Sequence, residues 1–449
     1  MEENRIREEL LVFLKNKDYR SLKKMLIEMN EADIAEFIDE LDSEKGSLVF
    51  RLLPKSLAAD AFACLEAEQQ ENIIASMSDT EIGYIIENLY VDDAVDMLEE
   101  LPSALVSRVL EHATEVTRKQ INEILQYPDN SAGSIMTVEY IGLKKTMTVK
   151  EAFDYIRKYG TEKETIYTCY VMGDHRILEG VVTVKELLMN PYDVLIEEIM
   201  DTRIIKAETT DDREDIVDLF NKYGFLSLPV VDHENRLVGI VTIDDAMDVM
   251  EEEDTEDFEK MAAMSPSEKP YLKTSILVLA KNRIAWLLIL MLSSMITGAI
   301  LSKYEVAFAA LPLLVSFIPM LTDTGGNAGS QSSTMVIRGM AVGEIEPGDI
   351  LKILWKEFRV AIIVGSILAG VNFIKVIMQY PGNYMIGITV AASLFATVVL
   401  ANLVGGFLPV LAKKLNFDPA IMASPLISTL VDAMSLMIYF SLAMRLLHL

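Results

Sequence analysis

The chain has 449 residues, 51% of them hydrophobic, and a formal net charge of −28. Residues 1–275 hold 60 of the 68 acidic and 29 of the 40 basic side chains, net −31, and the remaining 174 residues hold 8 and 11, net +3. The second part excludes a purely soluble protein, and the acidic first part repels phosphate backbones and attracts cations, so a divalent metal rather than nucleic acid is the expected partner. Cys64 and Cys169 stand over a hundred residues apart without a CxxC or Cys/His cluster, which argues against a disulfide framework and a zinc site. The start, MEENRIREEL, lacks the basic and apolar regions of a signal peptide, so the acidic part is expected in the cytoplasm.

Residues 1–130 carry Leu, Ile, Glu and Asp at helical spacing, with Leu-Pro pairs at 53–54 and 101–102 as helix stops. The expected structure is an α-helical superhelix of short helices, with no nucleophile and no paired acid and base. Asp92 and Asp96 fall at i and i+4 on one face, beside Asp93. Such a cluster is commonly a solvated face. Its weight rises because DDAMDVMEEEDTEDFE over 244–259 is a second block whose own repulsion calls for cations.

Residues 131–250 contain an internal repeat of about 64 residues: SIMTVEYIGLKKTMTVKEAFDYIRKYG is echoed by EIMDTRIIKAETTDDREDIVDLFNKYG, and LEGVVTVKELL by LVGIVTIDDAM. Val and Ile runs alternating with amphipathic helices predict a pair of α/β modules. Residues 250–270 read as a Met- and Glu-rich connecting helix interrupted at Ser265–Pro266.

From Ile276 the hydropathy predicts five membrane spans, near 282–303, 306–337, 351–378, 384–411 and 419–446, the second long and broken at Gly325 and Gly326. Lys281, Arg283, Arg338, Lys352, Lys356, Arg359, Lys413 and Lys414 gather on one side, which by the positive-inside rule places the N-terminus in the cytoplasm and the C-terminus outside. Ionisable residues within spans are costly and mark function. Asp432 sits near the middle of the last span with Ser428 and Ser424 at i−4 and i−8 on the same face. The face reads as a cation site lining a water-filled path, the alternative being a carboxylate hydrogen-bonded at a packed helix interface. Asp323 borders the expected Gly325 break, where carbonyls would turn to a cavity. Asp418, in NFDPA, either caps the last helix or meets a cation at its mouth.

The runs PLLVSFIPMLTDTGGNAGSQSS, IRGMAVGEI and DPAIMASPLISTLVDAMSLMIYF resemble the membrane domain of the MgtE magnesium channels. The repeats resemble CBS modules, and the resemblance extends over essentially the whole chain in the family's order. It implies a multidomain protein: an acidic helical N-domain (1–130), tandem CBS modules (131–250), a connecting or plug helix (251–275) and an all-α transmembrane pore domain of five spans (276–449). It also implies a homodimer in the cell's inner (plasma) membrane, in contact with lipid. Local alignment with the family selects as regulatory cation positions Asp92 and Asp96, then Asp212, Glu214, Asp245, Asp248, Glu253, Glu256 and Asp257. CBS modules commonly bind adenine nucleotides such as ATP. Here Thr242 of the G-h-h-T-x-x-D pattern, Lys185 and Phe225 are the corresponding positions, Phe225 being either a stacking ring or a core aromatic. In the first module Glu186 replaces the Asp of that pattern.

Mg²⁺ dehydrates reluctantly, so a selective pore need not strip the ion. Two copies of Asp432 across a dimer axis, with carbonyls near Gly325 and the hydroxyls of Ser428 and Ser424, would form a ring for the hydrated ion, with Asp418 at the mouth. A divalent cation gains about 4.6 kcal/mol per ~100 mV of inward-negative potential, so uptake is passive, and neither a P-loop nor any other enzymatic motif occurs. The expected function is a Mg²⁺-selective channel closed by cytoplasmic Mg²⁺. The rivals are an alternating-access transporter, which five spans do not divide into equal halves, and a membrane-anchored divalent-cation or nucleotide sensor without conduction.

Overall fold

The computed structural model describes residues 2–267, 271–272, 274–305, 311–422 and 424–448, with no side-chain description for residues 2–4, 56 and 424. The chain divides into two compact units, Met1–Met250 and Glu251–Leu449.

The first unit opens with ten short helices, α1 (Glu2–Lys15) through α10 (Glu115–Ile124), including α8 (Val91–Glu100). Their ends are set by local chemistry. Asn30 and Asp42 accept backbone N–H groups at the starts of Glu31–Asp39 and Ser43–Phe50, and Ser78 with Glu81 forms a capping box. Pro54 and Pro102 stand at N-cap positions, so each Leu-Pro pair ends one helix and begins the next. The inward faces of these helices build one apolar core, which continues into the second α/β module through Ile216, Phe220, Leu228, Val230, Val241 and Ala246.

The two modules repeat one topology. In the first, β1 (Ile141–Lys144) pairs parallel with β2 (Thr168–Met172), which pairs antiparallel with β3 (Leu178–Thr183). Helices α11 (Val149–Tyr159), α12 (Val184–Met189) and α13 (Ile196–Ile199) belong to the first repeat and its boundary. In the second, β4 (Ala207–Glu208), β5 (Ser227–Val231) and β6 (Leu237–Thr242) pair in the same order, with α14 (Arg213–Tyr223) between β4 and β5. The modules interlock: Thr137, ahead of the first, bridges to Ile240 of β6, and its repeat equivalent Asp201 bridges to Val181 of β3. A Cβ on Gly239 would lie 2.7 Å from Met136 Sδ, and one on Gly180 2.6 Å from Met200 Sδ. The glycine of each repeated pattern is thus there to let the partner's leading segment cross the sheet edge.

The helix α15 (Ile243–Met261) leaves the second module across the unit boundary and ends at Met261, earlier than the connecting helix expected over 250–270. The second unit continues with α16 (Ile276–Lys303), α17 (Ile318–Ala341), α18 (Ile350–Gln379), α19 (Tyr384–Lys414) and α20 (Ser424–Leu446). Among the described residues four segments are long and apolar enough to cross a membrane: Ile276–Lys303, Pro347–Gln379, Tyr384–Lys414 and Pro419–Leu446. The remaining helix, α17, has 24 residues, but its Thr, Asp, Asn, Gln and Ser content keeps it below that hydropathy.

The long second span expected over 306–337 is corrected. Residues 306–310 lie outside the described residues, and α17 starts only at Ile318, with Pro319 in its first turn. The break expected at Gly325 and Gly326 is absent, because α17 runs through both as continuous helix. These glycines serve packing. A Cβ on Gly325 would lie 2.6 Å from Thr397 Cγ2, one on Gly329 2.8 Å from Ile427 Cγ2, and one on Gly405 would collide with the carbonyl oxygen of Gly329. Small residues let α17 approach α19 and α20 closely, as membrane helices without a hydrophobic drive between them require.

Candidate functional site

In the second unit α17 is divided lengthwise. Gly325, Gly326, Ala328, Gly329, Ser332 and Ser333 are buried, while Asp323, Asn327 and Gln331, at i, i+4 and i+8, form an exposed polar stripe. The hydroxyls of the buried face are satisfied internally: Ser332 donates to Asn402 O at 3.0 Å and Ser333 to Met422 O at 2.9 Å. The stripe is different, since polar groups facing hydrocarbon are expensive and the single chain leaves this face open.

Asp432 lies half-buried on α20, which packs along α17, and it is close enough to Asp323 for the two charges to interact. Ser428 is also half-buried, its Oγ 3.2 Å from where a Cβ on Gly326 would stand. Gly325 is buried inside continuous helix, so its carbonyl is not released to a cavity. The side chain of Ser424 lies outside the described residues. Asp418 has two partners: Oδ1 accepts the N–H of Ala420 at 2.8 Å, which caps the short 3-10 turn Pro419–Met422 rather than the last helix itself, and Oδ2 accepts from Lys260 Nζ at 2.7 Å. Asn327 and Gln331 were legible as a polar i, i+4 repeat with Asp323; Lys260 had no sequence signal of its own.

The first unit gathers carboxylates where its helical part meets the modules. Asp92, at the start of α8, is buried, and burial, then the charges of Asp245 and Asp93, hold its carboxyl well above the usual range. Burial and Asp244, Glu139 and Asp60 push Asp93 up to about 6. Burial and Asp244, Asp245 and Asp93 push Glu164 up to about 8. Asp245 rises to about 7 through burial, against the hydrogen bond that Thr242 Oγ1 donates to its Oδ2 at 2.6 Å. Thr242 and Asp245 are thus engaged with each other, and Asp245 faces the carboxylates of α8.

Of the other expected cation positions, Asp96 and Asp248 are exposed on α8 and α15. Asp212 is exposed and caps α14, accepting the N–H of Glu214 at 3.0 Å. Glu214 is exposed. Glu253, Glu256 and Asp257 are half-buried on α15; Glu256 pairs with Lys260 at 2.5 Å, and burial together with Asp418 raises Asp257 to about 6. Asp60, Glu139 and Glu164 join the cluster without having been singled out. They come from three separate segments, and no spacing links them. Among the described residues no three His, Cys, Asp or Glu side chains converge as a direct metal-ligating set. Phe225 stacks on Tyr223 at 5.4 Å and packs against the core, Thr242 is buried, and Lys185 is exposed on α12.

A family profile described as divalent cation transporter matches residues 318–442, the MgtE intracellular N domain matches 29–130, and CBS domains match 132–192 and 196–252. The chain is 34% identical to the magnesium transporter MgtE of Thermus thermophilus over 97% of both chains. It is 31% identical to that of Bacillus subtilis over 98% of this chain and 97% of the relative. Among solved structures it is similar to the soluble part of a magnesium transporter, with TM-score 0.53 and 29% identity over 56% of this chain and 99% of that one. The cytosolic domain of the Mg²⁺ channel MgtE in complex with ATP matches with TM-score 0.52 and 33% identity over 54% and 99%.

Proposed function

Because the chain belongs to the MgtE family of magnesium transporters, multi-pass membrane proteins and not enzymes, we propose that it conducts Mg²⁺ passively as a homodimeric channel closed by cytoplasmic Mg²⁺. The observation that carries this reading is the exposed stripe Asp323, Asn327 and Gln331 on α17, flanked by Asp432 on α20. A second copy facing it would remove the stripe from lipid and enclose a polar path. Two Asp432 carboxylates with the hydroxyls of Ser428, and of Ser424 at the cytoplasmic end, would then attract a hydrated divalent ion without stripping it. Asp418 stands at the mouth, and Gly325 contributes as a packing residue.

The acidic positions of the first unit supply the closing signal. Like carboxylates repel one another, at roughly 4 kcal/mol per pair of charges ~4 Å apart at intermediate dielectric. Cytoplasmic Mg²⁺ would bridge Asp92 and Asp96 with Asp245 and Asp248, and Asp212, Glu214, Glu253, Glu256 and Asp257 would extend the set. The soluble part, 1–130 with 131–250, and the connecting segment 251–275 lie in the cytoplasm in this reading, ahead of the pore domain 276–449, with the C-terminus outside. ATP is a candidate ligand of the modules at Phe225, Thr242 and Lys185.

The test is Mg²⁺ flux into proteoliposomes with the cation clamped on the cytoplasmic side. Wild-type protein should conduct, more slowly with Mg²⁺ on that side, and Asp432→Asn should lose most conduction while remaining assembled. Absence of wild-type flux, with Mg²⁺ still altering the soluble part, would favour a sensor without conduction.

A further inference from the structure

The connecting segment is fastened to the membrane helices at two points, both within the second unit. Ser265 N donates to Asn282 O at 3.0 Å and Asn282 Nδ2 to Pro266 O at 3.1 Å, which ties the segment to α16. The other point is Lys260, in the last turn of α15, where the helix carbonyls favour a cation. Its Nζ lies 2.7 Å from Asp418 Oδ2 and 2.5 Å from Glu256 Oε1, with side chains 23% (Lys260), 28% (Asp418) and 33% (Glu256) exposed.

The consequence for Asp418 follows from its partners. One oxygen caps the short turn before α20 and the other holds an ammonium, so the residue expected to greet a cation at the mouth is already neutralised by one from its own chain. Burial works against the Lys260 charge, but the hydrogen bonds to Asp418 and Glu256 outweigh it and raise its pKa, so the ammonium persists at any physiological pH. Glu256, a candidate regulatory ligand, is engaged by the same group.

We propose that Lys260 is a tethered cation: its ammonium takes the cation position beside Asp418, holds the connecting segment against the start of the last helix, and must leave Asp418 before an ion can use that carboxylate. Lys260 is a positioning residue, acting through Asp418 and Glu256. The role in closure rests on the channel reading above; the latch itself does not.

Two measurements on the full-length protein in lipid separate these claims. Hydrogen exchange over residues 251–267 should speed up in Lys260→Gln by roughly two- to fivefold, the range that a partly exposed ion pair supports, and stay at the wild-type rate in Lys260→Arg. In flux assays, half-inhibition of Lys260→Gln should require roughly two- to fivefold more cytoplasmic Mg²⁺, with Lys260→Arg again like wild type. Unchanged exchange in Lys260→Gln would overturn the latch. Faster exchange with an unshifted inhibition curve would overturn its part in closure. If the wild-type protein carries no flux, the channel reading fails while the exchange comparison still decides the latch.

Discussion

Lowering the pH should stabilise the first unit when divalent cations are absent, against the usual behaviour of acidic proteins whose carboxylates are paired. Asp93, Glu164 and Asp245 have folded-state values near 6, 8 and 7, raised by burial and by one another's charges. Between the ordinary carboxylate values near 4 and these raised values the folded state binds more protons than the unfolded one, so stability falls as pH rises through that window. Asp245 alone moves by about three units, an upper limit of ~4 kcal/mol at about 1.4 kcal/mol per unit; its partial exposure and coupling to Asp92 and Asp244 reduce this to about 2 kcal/mol. The assay is urea-dependent pulse proteolysis of the full chain in detergent with chelator, read on fragments from residues 1–250 at pH 8 and pH 6. Between pH 8 and pH 6 lies about one of Asp245's three units, with somewhat under two for Glu164, so after the same discount by about half the first unit should be more resistant by about 2 kcal/mol at pH 6. Saturating Mg²⁺ should flatten the difference because the cation replaces the proton. Greater stability at pH 8 without Mg²⁺ would refute the picture of mutually repelling buried carboxylates.

Three further outcomes are expected. Asp245→Asn, which keeps the shape beside Thr242 and removes one charge, should stabilise the chelated first unit by about 1–2 kcal/mol while weakening its response to Mg²⁺, read by the same proteolysis. Gly405→Ala, which drives a methyl into the Gly329 carbonyl, should destabilise the membrane unit by about 1–3 kcal/mol in a detergent melt and leave the first unit untouched. Gly239→Ala, crowding Met136 and Thr137 O, should destabilise the interlocked modules by a similar ~1–3 kcal/mol, seen as faster hydrogen exchange in β6.

Several features were written in the sequence because they are local or periodic. The charge partition separated the acidic part from the apolar part, the 64-residue echo announced two α/β modules, and Leu-Pro pairs marked helix stops among the short helices. Asp432 was visible as a carboxylate in an apolar helix. Other features depend on distance between remote segments, which no periodicity encodes. Glu139 of the first module and Asp244 of α15 act on Asp93 and Glu164, and Asp60 of a short helix acts on Asp93, only after packing has brought their segments together. Glycine was ambiguous: the absent side chain at Gly325 permits either a broken helix or a close crossing, and only contact with Thr397, Val431 and Ser435 decided for the crossing. Lys260 was one cation in a run of acids until the fold set it beside Asp418, 158 residues away, where partial burial makes the pairing favourable.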